Sequence, residues 1–123
     1  MAGSETRMAF VPPTPVGDPV AAARPRALAA ADLDAVMAIE VGAYAFPWSR
    51  GNVSDSLKAG HRAIGWFAPD DALLGYCIAM AGVDEWHLLN VTVAPALQGH
   101  GLGQRMLADL ADHARSTGAA RLW

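Results

Sequence analysis

The sequence predicts an α/β domain: a mixed, mainly antiparallel sheet flanked by helices, incomplete at its C-terminal end. Three observations predict it. Leu73 to Ala81 and Trp86 to Val93 are apolar runs of strand length separated by a short turn. Apolar residues at helical spacing mark two helices before these strands and one after them. A glycine-rich segment, Gln98 to Gly103, joins the second of these strands to the last helix, so strands and helices alternate in layers.

Residues 1–24 are rich in Pro, Gly and Ala and include Val11-Pro12-Pro13-Thr14-Pro15. They read as a disordered or loosely attached leader, without the continuous apolar core of a signal peptide. Residues 25–123 form the domain. Arg26 to Leu28 is a short first strand. Asp32 is placed to cap a first helix, with Leu33, Val36, Met37, Val41 and Tyr44 at helical spacing. Pro47 interrupts that pattern, and Ser49 is placed to cap a second, shorter helix holding Val53 and Leu57. Gly60 ends it. His61 to Phe67 is the next strand, Pro69-Asp70-Asp71 a turn, and Leu73 to Ala81 the antiparallel partner. Beyond a turn at Gly82 to Glu85, Trp86 to Val93 is the most strand-like run, ended by Pro95. The third helix carries Leu102, Met106, Leu107, Leu110 and Ala114 on one face, with Gly118 placed as its terminating residue. Arg121-Leu122-Trp123 opens a further strand.

Composition narrows the function. With 123 residues the chain accommodates one domain, and no apolar run approaches the roughly 20 residues of a membrane helix. The formal net charge is -3, with no run of Lys or Arg, so neither direct nucleic-acid binding nor a membrane role is expected. The single cysteine, Cys77, excludes an internal disulfide and sits among Ile78, Ala79 and Met80, where a buried, unreactive thiol is expected. A cytoplasmic location fits that cysteine usage. One cysteine and four scattered histidines do not make a metal site.

The chemistry concentrates between Leu89 and Leu107. Glycines around a helix N-terminus let a ligand approach the backbone, while unpaired N–H groups and the helix dipole favour an anion. A pyrophosphate suits such a loop. The glycine order is not that of the dinucleotide fingerprint, and a Walker loop would need Gly-Lys-Ser/Thr. A turn whose glycines only relieve crowding between helix and strand is the competing reading.

Gln98-x-x-Gly101-x-Gly103, directly after a strong strand and opening an amphipathic helix, resembles the Gln/Arg-x-x-Gly-x-Gly/Ala motif of the GCN5-related N-acetyltransferases, the GNAT superfamily. Asp32-Leu33-Asp34-Ala35-Val36, Ala38-Ile39-Glu40, Phe46-Pro47-Trp48-Ser49 and Leu89-Asn90-Val91-Thr92-Val93-Ala94-Pro95 are similar to the bacterial ribosomal-protein-alanine N-acetyltransferases. Those enzymes acetylate the N-terminal alanine of a small-subunit ribosomal protein. The resemblance implies a GNAT-type sheet, acetyl-CoA as co-substrate and a protein N-terminus as acceptor. It implies that Val91, Thr92 and Val93 pair through their backbone with the pantetheine arm. Gln98, Gly99, His100, Gly101, Leu102, Gly103 and Gln104 would hold the pyrophosphate. Phe46 and Trp48 would border the acceptor channel, although a plain core or hinge aromatic also accounts for Trp48.

The family pattern is not complete in this chain. In the resembled enzymes the base is a glutamate on the strand that opens at Arg121, and the acid is a tyrosine on the helix beyond it. Both positions fall after Trp123, so the chain reads as C-terminally truncated. Uncovered apolar faces on the central strand and third helix, and hence self-association, are expected. Glu85 and His87 are the substitute catalytic candidates, two residues apart and so on one strand face. In other branches of the superfamily a glutamate stands at the position matching His87, and imidazole is the side chain suited to proton transfer near neutral pH. A solvent-facing polar pair is the competing reading. His100 is expected near phosphate, with His61 and His113 on the surface. The expected function is acetyl transfer to a primary amine. The rivals are a small-molecule acceptor, a non-catalytic acyl-CoA-binding fragment and a nucleotide-binding module.

Overall fold

The computed structural model describes residues 18–123, so most of the expected leader lies outside the described residues. A five-stranded sheet runs in the order β1-β2-β3-β4-β5. β1 (Arg24–Ala27), β2 (Arg62–Phe67), β3 (Leu73–Gly82) and β4 (Glu85–Val93) are antiparallel neighbours, and β5 (Arg121–Leu122) lies parallel to β4. Two helices, α1 (Leu33–Ala43) and α2 (Arg50–Lys58), connect β1 to β2. The third, α3 (Leu102–Ser116), provides the crossover that two parallel neighbours require.

β3 is buried on both faces because a core lies on each side of it. Tyr76 and Ile78 pack with Val36 and Ile39 of α1 and Val53 of α2. Cys77 and Ala79 pack with Leu102, Met106 and Leu110 of α3. That is the period-2 alternation of a strand. Burial pushes the Cys77 thiol up to about 11, in keeping with an inert core cysteine.

β4 breaks the alternation. Ile78 pairs with Asn90 but Ala79 pairs with Leu88, leaving Leu89 as an extra residue. A bulge reverses which side chains face which way. Trp86 and Leu88 before it, and Val91 and Val93 after it, all pack on the α3 side. Asn90 and Thr92 turn toward α1, where they meet Glu40 and Tyr44.

Residues 18–23, the described end of the expected leader, pack against α3: Val20 and Ala23 are buried, and the Arg105 guanidinium donates to their carbonyl oxygens at 2.5 and 3.1 Å. Several element-level expectations are corrected. β1 starts at Arg24. Asp32 does not cap α1 from outside. A 3-10 turn at Ala30–Asp32 precedes the helix, and the Asp32 carboxylate reaches back to accept from the Ala29 N–H at 2.8 Å. It also pairs with Arg26 at 3.0 Å. The Arg26 guanidinium and then the Ala29 amide hold the Asp32 carboxyl below its usual range. On α1 the buried face is Val36, Ile39 and Glu40, while Val41 is exposed. The apolar face of α3 is covered by the sheet, with Leu102, Met106, Leu110 and Ala114 buried and only Leu107 turned outward. No described helix is long and apolar enough to cross a membrane.

Candidate functional site

β4 ends at Val93, a 3-10 turn occupies Pro95–Leu97, and the chain reverses through Gln98 to Gly101 into α3. Gly99 and Gly101 have φ of 85° and 86°, a left-handed conformation that disfavours any side chain. Gly101 stands at the N-cap of α3, and no side chain among the described residues caps the helix. The Arg105 N–H is bonded to the Gly101 carbonyl at 3.2 Å. The amides of Leu102, Gly103 and Gln104 therefore have no intrahelical acceptor. Gly103 and Gln104, at the positive end of the helix dipole, line a cavity of about 450 Å³ together with Val93, Gln98, Gly99 and Gly101.

The loop residues predicted from sequence separate here into different roles. Gln98 folds back so that its Nε2 donates to the Val93 carbonyl at 3.3 Å. Leu102 buries its side chain in the core and is outside the cavity lining. His100 is exposed and outside the cavity lining.

Among the described residues a strand pairs with the outer edge of β4 only at its beginning, while the Tyr44 hydroxyl donates to the Val91 carbonyl farther along at 3.2 Å. Trp123 donates to the Trp86 carbonyl and accepts from the Leu88 N–H, both at 2.9 Å. Past Leu88 no described strand pairs with this edge. At its far end the Ala94 N–H donates to Leu74 on β3 at 2.9 Å, and the register sets Thr92 opposite Tyr76 and Asn90 opposite Ile78. Backbone groups of an antiparallel strand alternate sides. Asn90, Thr92 and Ala94 thus face β3, and the N–H groups of Val91 and Val93 face the open edge. Thr92, predicted alongside these two, is turned inward in both backbone and side chain.

Beside this edge lies a second cavity, about 400 Å³, between the α1–α2 connection (Tyr44, Phe46, Trp48) and β4 from Leu88 to Val91. The two predicted acceptor residues are both here. Phe46 is almost fully exposed at the rim, and Trp48 packs at the margin of the α1-side core. The cavity's floor carries a residue that the sequence reading did not assign. Glu40 is 1% exposed. Its Oε1 accepts from the Tyr76 hydroxyl at 2.5 Å and from Asn90 Nδ2 at 3.1 Å, and its Oε2 accepts from the Trp48 N–H at 2.8 Å. The chain of bonds continues from Thr92 Oγ1 to Asn90 Oδ1 at 2.6 Å, with Tyr44 within 2.8 Å of Thr92 Oγ1. Burial, and then the bond to Glu40, push the Tyr76 hydroxyl well above its ordinary range, so it remains a donor. The available sequence signal was position: Glu40 follows Val36 by four residues on the buried stripe of α1.

Glu85 and His87 do share a strand face, with His87 Nε2 and Glu85 Oε2 2.6 Å apart. Glu85 Oε1 accepts from Trp123 Nε1 at 3.1 Å and from Arg121 Nη2 at 3.2 Å. The Trp123, His87 and Arg121 bonds hold the Glu85 carboxyl below its usual range. Glu85 thereby ties the start of β4 to β5 and stands apart from the cleft. The cleft lining begins at Leu88, one residue after His87. Among the described residues no three His, Cys, Asp or Glu side chains cluster as metal ligands.

Comparison with known proteins places this geometry. The family model for the acetyltransferase (GNAT) family matches residues 33–123. The [ribosomal protein bS18]-alanine N-acetyltransferase of Salmonella typhimurium is 34% identical over 97 residues, covering 78% of this chain and 64% of that protein. Its Escherichia coli K12 counterpart is 33% identical over 93 residues, covering 75% and 62%. The chain therefore spans somewhat under two thirds of the length of these relatives. The crystal structure of the ribosomal-protein-S18-alanine N-acetyltransferase from Escherichia coli superposes with a TM-score of 0.76 at 30% identity, over 82% of this chain and 64% of that one. The PaiA N-acetyltransferase of Thermoplasma acidophilum, solved in complex with coenzyme A, shares the fold at a TM-score of 0.69 and 14% identity, over 79% and 74% of the two chains. With that match over most of its length, this chain belongs to the GNAT acetyltransferase family.

Proposed function

We propose that the domain binds acetyl-CoA and presents its thioester to a primary amine, the N-terminal alanine of a ribosomal protein, in the cytoplasm. One observation carries this reading: two cavities lie along the same stretch of β4 that no described strand pairs, Val93 lining one and Val91 the other. From Val93 to Leu89 is four residues, roughly 13 Å at the rise of a strand. An extended pantetheine arm bridges that span. The free amides at the start of α3 take the pyrophosphate. The N–H groups of Val91 and Val93 bond the pantetheine amides as a neighbouring strand would. The thioester then lies beside Leu88 and Leu89, against the aromatic cleft that admits the acceptor.

The relatives named as bS18-alanine N-acetyltransferases support the acceptor assignment, and the neighbour solved with coenzyme A supports the co-substrate. In the transfer, the amine nitrogen bonds to the acetyl carbonyl carbon, the carbon–sulfur bond breaks, and CoA leaves as a thiolate that takes up a proton. The amine's surplus proton needs an acceptor. Of the two predicted on β4 we assign it to His87, acting through water and oriented by Glu85, because Glu85 is itself engaged by Arg121 and Trp123. Steady-state release of CoA with an alanine-starting peptide tests the reading. Release above the peptide-free background is expected, and His87→Ala should lower it while leaving acetyl-CoA affinity unchanged. Release that is independent of peptide would overturn the acceptor assignment.

A further inference from the structure

We infer that Glu40 anchors the charged end of the acceptor, its carboxylate holding the protonated amine of the incoming polypeptide at the floor of the cleft. The inference rests on the acetyl-transfer reading and names the acceptor class within it: a primary ammonium rather than a neutral or anionic nucleophile.

Glu40 is buried yet lines the cleft, so its free acceptor capacity is reached only from there. An ionised carboxylate offers about four lone-pair positions. Tyr76 and Asn90 fill the two on Oε1, and Trp48 fills one on Oε2. The last position on Oε2 has no donor among the described residues. All three partners donate, so the network is built around a carboxylate. All three are also neutral. The ion pairs among the described residues involve other acidic groups, and none includes Glu40.

A buried carboxylate without a counter-charge is costly, and hydrogen bonds from neutral groups offset only part of that cost. An aliphatic residue at this position of α1 would pack beside Val36 and Ile39 without it. A cation arriving through the cleft supplies both the missing charge and the missing fourth donor. Phe46 and Trp48 stand in the same lining, and aromatic ring faces also attract a cation. Glu40 is bonded to Asn90, the residue before Val91, so an amine on Oε2 is held on the α1 side of the open β4 edge. The role is docking. The proton must leave before the nitrogen attacks, and that step is not assigned to Glu40.

The test is calorimetric titration of the CoA-loaded chain with an alanine-starting hexapeptide and with the same peptide carrying a hydroxyl in place of its N-terminal amine. The hydroxyl peptide should bind at least about tenfold more weakly. Glu40→Gln should bind both peptides alike while keeping the parent's acetyl-CoA affinity. Equal binding of the two peptides by the parent chain overturns the anchor, and that comparison does not depend on any variant folding. Discrimination that survives in Glu40→Gln overturns it as well. Binding of CoA with binding of neither peptide removes the anchor and leaves the cofactor site standing. Failure to bind CoA at all removes the acetyl-transfer reading first, and the anchor with it.

Discussion

At the start of α2, Ser49 Oγ accepts from the Asn52 amide at 3.0 Å, and Asn52 Oδ1 accepts from the Ser49 amide at 3.1 Å. At the start of α3, Gly101 has no side chain to offer, and no other side chain among the described residues caps the helix. Both helices begin with backbone donors that lack intrahelical partners. One closes that deficit with its own side chains in a capping box. The other leaves it open, with left-handed glycines at 99 and 101 keeping side chains clear of the amides. The closed terminus serves stability and the open one is available to an anion. Neither residue type alone makes that difference, since it depends on what surrounds the donors.

The largest expected effect breaks the open terminus. Gly101→Val places a branched side chain at a φ of 86°, at a strain cost of about 1–3 kcal/mol, and directs it into the cavity above α3. Acetyl-CoA affinity measured by titration calorimetry should fall on the order of a hundredfold, about 2.7 kcal/mol. Unchanged affinity would mean that the open terminus is not the anion site. The closed terminus should respond in the opposite sense. Ser49→Ala removes a cap worth about 1 kcal/mol and should lower Tm by roughly 4–8 °C. Acetyl-CoA affinity should not move, and a parallel loss of affinity would erase the distinction between the two termini.

The smallest effect lies at a third terminus, the 3-10 turn before α1, closed by Asp32. Its folded pKa lies below the unfolded value of about 3.9, so the stability it contributes is present above that pH and is lost as pH falls through the folded pKa. Asp32→Asn should lower Tm slightly at neutral pH, and the gap to the parent should close in acid. A gap that widens in acid would contradict the assignment of the Arg26 and Ala29 contacts as the cause.

The fold is most legible in the sequence where one residue type has one physical use. Ser49 was readable as a cap and Gly60 and Gly118 as helix ends, and both glycines have left-handed φ in the structure. The loop from Gln98 to Gly103 was readable because its glycines and the helix onset fall together. The bulge at Leu89 was harder to read. Its trace is a change of phase, with apolar Trp86 and Leu88 followed by apolar Val91 and Val93, and an unbroken apolar run hides it. For the same reason the sequence sets Thr92 alongside Val91 and Val93, although it faces the other way. Glu40 does not stand out in the sequence, because a charged residue within a helix is ordinarily solvent-facing. Only the three donors, which come from β3, β4 and the α1–α2 connection, show why it can be buried. The attachment of Val20 and Ala23 was hidden because it depends on Arg105, more than eighty residues away.

The central claim is that this chain holds acetyl-CoA at the open terminus of α3, and the most direct test is its Tm against increasing acetyl-CoA. A ligand that binds only the folded state stabilises it by about 2.7 kcal/mol at a hundredfold excess over Kd. The account predicts a saturable rise in Tm that neither ATP nor NAD reproduces. A cooperative melt that acetyl-CoA leaves unmoved would contradict it.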